Sequence, residues 1–141
     1  MQKIAIIGGG FSGAMTAWHL CKHASIEVTV IAPGGALGTG VAYGTAEPTH
    51  LLNVPAARMS ALPDDPDHFV KWLALRKPSY TGEPYAFVQR SWYGEYVQDL
   101  IGQLDNRPRI VTSRCISIEQ AGSQLKLKFN SGEQMAFDKV V

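Results

Sequence analysis

The sequence has only two cysteines, Cys21 and Cys115, in 141 residues, with no CxxC pair. A disulfide framework is thereby excluded, and a reduced, cytoplasmic chain with small buried thiols is the expectation. There is no surplus of either charge: 13 Lys+Arg stand against 12 Asp+Glu, for a net +1. Without a long-range field to collect phosphate backbones or anionic lipid, nucleic acid and membrane surfaces are not the expected partners. Arg107, Arg109 and Arg114 are too sparse to change that. No apolar run approaches the roughly 18 residues of a spanning helix. Charged residues make up 18%, below the usual quarter or so, while glycine and proline remain far from disordered proportions. A folded, glycine-punctuated single domain follows.

Metal chemistry is poorly served as well. His19 and His23 stand four apart on a predicted helix without a third ligand nearby, and Asp64, Asp65 and Asp67 surround Pro66 in the manner of a helix start. No metal site is expected, and no catalytic residue can be named. Ser12 is no nucleophile elbow, because the Gly-x-Ser-x-Gly spacing is missing.

What is present begins at Lys3-Ile4-Ala5-Ile6-Ile7, a β-branched run without amphipathic alternation, as in a parallel strand covered on both faces. Glycines stop it, and a helix predicted from Ala14 to Ala24 presents Phe11, Ala14, Met15, Trp18 and Cys21 at helical spacing. Ile26–Ile31 forms the next strand. Strand, glycine turn, helix and strand make a βαβ unit. Residues 33 to 64, punctuated by glycine and proline, read as a long irregular segment, which in a compact domain is usually functional. A helix capped by Asp65 with Pro66 behind it is predicted to run to about Arg76, and a third, capped by Ser91, to about Leu104. From Arg109 the period changes to two, giving strands at 109–112, 115–118, 125–129 and 135–137, with one more starting at Asp138. The predicted fold class is therefore α/β: a Rossmann-type domain with a parallel sheet and an added antiparallel β-meander. Trp72, Trp92, Tyr93 and Tyr96 are expected in its core.

Gly8-x-Gly10-x-x-Gly13 closes a strand and opens a helix, the context that turns a weak pattern into a dinucleotide signature. Gly8 permits the tight turn, Gly10 a close approach of diphosphate to backbone, and Gly13 close packing of helix on strand, with amides near Phe11, Ser12 and Gly13 facing the phosphates. The acidic residue that would bind the adenosine ribose should fall near position 32, where Ala32 stands instead. No arginine follows in the next ten residues to meet a 2′-phosphate. Weakened binding of the adenosine half is the consequence. The glycines alone do not separate FAD from NAD, so an NAD-only dehydrogenase domain and a non-catalytic nucleotide-binding or interaction module remain alternatives.

Three blocks are more specific: Gly38-Thr39-Gly40-Val41-Ala42-Tyr43-Gly44-Thr45; His50-Leu51-Leu52-Asn53-Val54-Pro55-Ala56-Ala57-Arg58-Met59-Ser60; and Pro63-Asp64-Asp65-Pro66-Asp67-His68-Phe69 with Trp72-Leu73. They resemble a bacterial family of FAD/NAD(P)-binding proteins related to flavin-dependent monooxygenases, with urate-hydroxylase-like members. Phe87-Val88-Gln89-Arg90-Ser91-Trp92-Tyr93-Gly94-Glu95-Tyr96 is similar to that family's aromatic segment, with Gln89 in place of proline. The resemblance implies an FAD enzyme that takes hydride from NAD(P)H, in which Gly8, Gly10, Phe11, Ser12 and Gly13 hold the diphosphate. It also implies that His50, Asn53, Val54, Met59 and Ser60 lie along the flavin. By the same likeness the chain stops before the nicotinamide-binding part, so no turnover is expected of residues 1–141 alone. Strand edges left open would favour homo-oligomers.

Overall fold

The computed structural model describes every residue, Met1–Val141. Strands β1 (Gln2–Ile7), β2 (Ile26–Ile31), β3 (Arg109–Val111) and β7 (Lys139–Val140) form a parallel sheet in the order β3-β2-β1-β7. β1 and β2 pair in register from Gln2 with Ile26 to Ile7 with Ile31. Strands β4 (Cys115–Ala121), β5 (Gln124–Phe129) and β6 (Gln134–Phe137) make a separate antiparallel sheet in sequence order. The edges of the parallel sheet are β3 and β7.

The lack of alternation in β1 has a direct structural cause, since both faces of the parallel sheet are covered. Ile6, Val28 and Val30 join a helical core of Ala14, Met15, Phe69, Leu73, Tyr96 and Val97. On the other side Ala5, Ile31 and Val111 meet Leu127, Phe129 and Phe137 of the antiparallel sheet. Leu125, Leu127 and Phe129 alternate with Lys126 and Lys128 because one face of that sheet packs and the other is wet. Trp72, Tyr93 and Tyr96 are buried, and Trp92 packs partly buried against them.

Helix boundaries differ from the sequence reading for identifiable reasons. Helix α1 spans Phe11–Leu20, starting earlier than Ala14 because Gly10 is already the extended N-cap residue. The segment from 33 to 64 is not wholly irregular: α2 is a short helix at Gly40–Tyr43, and a 3-10 turn covers Ala56–Arg58. Helix α3 is His68–Arg76, with Asp67 at the cap position and no side-chain cap. Asp65 does not cap it. Its carboxylate pairs with Lys71 at 2.9 Å, while its carbonyl accepts the Ser60 hydroxyl at 2.6 Å. Helix α4 begins at Arg90 and ends at Gly102, so Ser91 lies inside the first turn and Gln89 takes the cap position. Strand β4 runs on to Ala121, where Gly122 turns the chain at φ +64° into β5. No helix is long and apolar enough to cross a membrane.

Candidate functional site

The C-terminal ends of β1 and β2 open onto the start of α1, and the glycine loop lies between them. Gly8, at φ +113°, has a backbone that L side chains rarely adopt, and its amide donates to the Ile31 carbonyl at 3.0 Å. A Cβ on Gly13 would fall 1.9 Å from the Gly8 carbonyl oxygen, so only glycine lets α1 start this close to β1. Ala17, fully buried, keeps the next turn equally near the sheet. Ala14 returns its amide to the Gly10 carbonyl at 2.9 Å. No side chain caps α1, which leaves the amides of Phe11, Ser12 and Gly13 without an intrahelical acceptor at the positive end of the helix dipole. Ser12 is exposed. Phe11 anchors the loop, its ring tilted on Tyr93 at 5.8 Å and edge-on to Tyr43 at 6.2 Å.

A second loop closes on the first. Gly38 donates to the Gly9 carbonyl at 2.8 Å, and a Cβ on Gly40 would come within 3.2 Å of the Gly10 Cα. Between the loops is an open crevice of about 280 Å³ lined by Gly9, Gly10, Ala32, Pro33, Thr39 and Gly40 among others. Its walls carry no ionised side chain, so backbone amides and the helix dipole are what it offers an anion. Ala32 is buried at the end of β2, hydrogen-bonded through its amide to Val111 at 2.8 Å. Its methyl group occupies the space beside Gly9, where an added Cβ would approach to 2.7 Å.

The second group of expected residues forms a strip held against the segment before α4. Leu52 donates to Val88, Ala56 to Ala86 and Ala57 to Pro84, while Leu51 bridges Gln89. Arg90 secures the upper end, its Nε donating to the Leu51 carbonyl and its amide to the His50 carbonyl. His50 and Asn53 are exposed and Val54 is half-buried. Met59 packs against the helical core. Ser60 is engaged locally, its hydroxyl bonded to the carbonyls of Leu62 and Asp65. Below the strip, Tyr96 meets His68 Nδ1 at 2.8 Å and accepts the Ala61 amide at 3.3 Å. Burial pushes the phenols of Tyr93 and Tyr96 up, so both stay protonated.

Residues 5–141 match the model of the FAD-NAD(P)-binding family. The chain belongs to that family. Among curated relatives of this FAD-NAD(P)-binding domain is a salicylate hydroxylase of Pseudomonas putida, 28% identical across 99% of this chain and 34% of its own length. A second salicylate hydroxylase of that organism is 24% identical over 99% of this chain and 35% of its own. The chain thus spans about a third of the length of these relatives. Among solved structures, a flavin-containing monooxygenase from Stenotrophomonas maltophilia superposes with a TM-score of 0.67 at 17% identity, over 99% of this chain and 38% of that one. Cyclohexanone monooxygenase does so with 0.69 at 18%, over 99% and 25%. At such identities the likeness is one of fold.

Sequence reasoning about this FAD-NAD(P)-binding domain passed over three close contacts. Gly9, the middle glycine, faces Ala32 and the Ala36 carbonyl. Gly38 lies against Val97, where a Cβ would come to 2.5 Å, and Gly94 lies under the Tyr43 carbonyl at 2.8 Å by the same measure. The last two let α2 and its loop sit directly on α4. A small residue at these positions was the available signal, but its partners are distant in sequence.

Proposed function

We propose that this chain is the FAD-binding portion of an NAD(P)H-dependent flavoprotein oxidoreductase of the monooxygenase type. The observation that carries the reading is the uncapped start of α1, whose free amides follow directly on a crevice lined by Gly9, Gly10, Gly34 and Gly40. In this reading the backbone of Gly8, Gly10, Phe11, Ser12 and Gly13 holds the diphosphate, and Ala32 stands beside the adenosine ribose. His50, Asn53, Val54, Met59 and Ser60 belong to the strip along the flavin, with Ser60 shaping it from within through the 60–65 turn.

The residues present fit a dinucleotide. Neutral walls avoid repulsion of the phosphates, the dipole of α1 attracts them, and Phe11, pinned in the aromatic cluster, fixes the loop before any ligand arrives. FAD, when bound, supplies the ring that accepts hydride from NAD(P)H and reacts with oxygen. Substrate contacts and the nicotinamide site belong, in this proposal, to parts of a longer protein outside residues 1–141, consistent with the third of the relatives' length that the chain spans.

The test is to incubate the purified chain with FAD, remove free ligand by gel filtration, and record the visible spectrum. Retained flavin bands without steady NADPH oxidation above a flavin-only blank are the expected result. Binding of NADH with no flavin retained, or of neither, overturns the proposal, and sustained turnover overturns the assignment of catalysis to a longer chain.

A further inference from the structure

Four oxidisable rings run in contact from the glycine crevice toward α3. Tyr43 closes α2, whose first residue, Gly40, lines that crevice. Its ring centroid lies 4.8 Å from that of Tyr93, Tyr93 lies 5.5 Å from Tyr96, and Tyr96 lies 5.6 Å from Trp72. At such separations an electron passes from ring to ring by tunnelling, without movement of the chain. The rings differ in what can take their protons. Burial raises the Tyr93 phenol and no hydrogen-bonding group offsets it. Tyr96 is fully buried as well, yet its oxygen accepts the Ala61 amide at 3.3 Å and lies 2.8 Å from His68 Nδ1. The phenol's one proton is therefore directed at Nδ1, and the ring proton of His68 sits on Nε2. Although paired with Lys71, the Asp65 carboxylate also interacts with the charge of His68 and favours an imidazolium there. Beyond Tyr96, the Trp72 indole N–H donates to the Asp99 carboxylate at 2.9 Å. An oxidised phenol is a strong acid, and it holds its hole only where a base takes the proton; in this buried row Tyr96 has one and Tyr93 has none.

We propose that Tyr43, Tyr93, Tyr96 and Trp72 form a relay that draws an electron hole away from the cofactor crevice, and that the hole settles on Tyr96. One electron moves through Tyr93 and Tyr43 to a one-electron oxidant at the crevice, of the class that a light-excited flavin represents. Tyr96 loses that electron together with its phenolic proton, and the proton passes to His68 Nδ1. A neutral tyrosyl radical beside an imidazolium is left. The link to the flavin rests on the functional reading above, whereas the relay is a property of the four rings and His68.

The test attaches a ruthenium photo-oxidant to the thiol introduced by Val41→Cys, at a fully exposed position two residues from Tyr43. Cys115→Ser in the same chain removes the half-buried thiol, and Cys21 is buried. After a laser flash in the presence of an electron acceptor, transient absorption and EPR identify the radical, and a tyrosyl signal is expected. His68→Gln keeps an acceptor for the phenol but no base. Tyrosyl formation should slow about a hundredfold or more in that variant, with the signal becoming tryptophanyl as the hole remains on Trp72. Tyr96→Phe should give the tryptophanyl signal too, recorded at a temperature where circular dichroism reports the native fold. Absence of a tyrosyl signal in the parent chain, its survival in Tyr96→Phe, or an unaltered rate in His68→Gln overturns the proposal, and the last decides alone if Tyr96→Phe does not fold. The unlabelled chain loaded with FAD should give the same tyrosyl radical under illumination, and a retained flavin that yields none overturns the link to the crevice. Should FAD not be retained, the functional reading fails by that result, and the labelled chain still decides whether the relay exists.

Discussion

The Gly38 amide donates to the Gly9 carbonyl at 2.8 Å, and through this bond the second loop is tied to the glycine turn after β1. Gly38 can make it only at φ +85°, against the side chain of Val97. Gly38→Ala is therefore expected to lower stability by about 1–3 kcal/mol through overpacking and backbone strain. It should weaken FAD as well, because the far wall of the crevice moves. Denaturant midpoints and FAD titration measure the two effects; an unchanged midpoint contradicts the tie.

Gly13→Ala tests the contact between α1 and β1. The new methyl would fall 1.9 Å from the Gly8 oxygen, so the helix must retreat and carry its free amides away from the position proposed for the phosphates. Loss of retained flavin together with a destabilisation of at least about 1 kcal/mol is the expected outcome, read by gel filtration with FAD and by thermal unfolding.

Ala32→Glu should tighten FAD. The variant supplies a carboxylate at the end of β2, beside the crevice, where a hydrogen bond to a ribose hydroxyl is worth about 1.5 to 3 kcal/mol, or roughly one to two decades in affinity. Equal dissociation constants for the two proteins would mean that the ribose is held some other way.

Tyr96→Phe removes the hydroxyl that joins His68 Nδ1 to the Ala61 amide beneath the 50–60 strip. Stranding these polar groups should cost about 1–3 kcal/mol, with the loss showing in urea unfolding. A midpoint equal to wild type would show that water replaces the hydroxyl.

Acid should loosen the junction of β1 and β7. The Gln124 amide at 3.0 Å and then the Lys3 backbone N–H at 2.7 Å hold the Asp138 carboxyl below its ordinary 3.8. A depressed native pKa means the stabilisation is present above the unfolded value and is lost as pH falls through it toward the native one. Asp138→Asn should flatten the dependence of unfolding on pH below about 4, and an equally steep acid limb in the variant would remove Asp138 from the account.

Local pattern determined much of this protein. The β-branched run of Lys3–Ile7, the spacing of Gly8, Gly10 and Gly13, and the alternation at Leu125–Phe129 each depend on neighbours within one element, where strand and helix periods act directly on the chain. The Leu52-Asn53-Val54-Pro55 stretch carried its family likeness in the same short compass. Tertiary structure alone decided that Gly38 and Gly94 must be glycine, that Asp65 pairs with Lys71 instead of capping α3, and that Arg90 is clamped to the Leu51 and His50 carbonyls. Those outcomes depend on the approach of segments far apart along the chain, and a side chain's identity does not reveal which backbone will arrive within 3 Å of it.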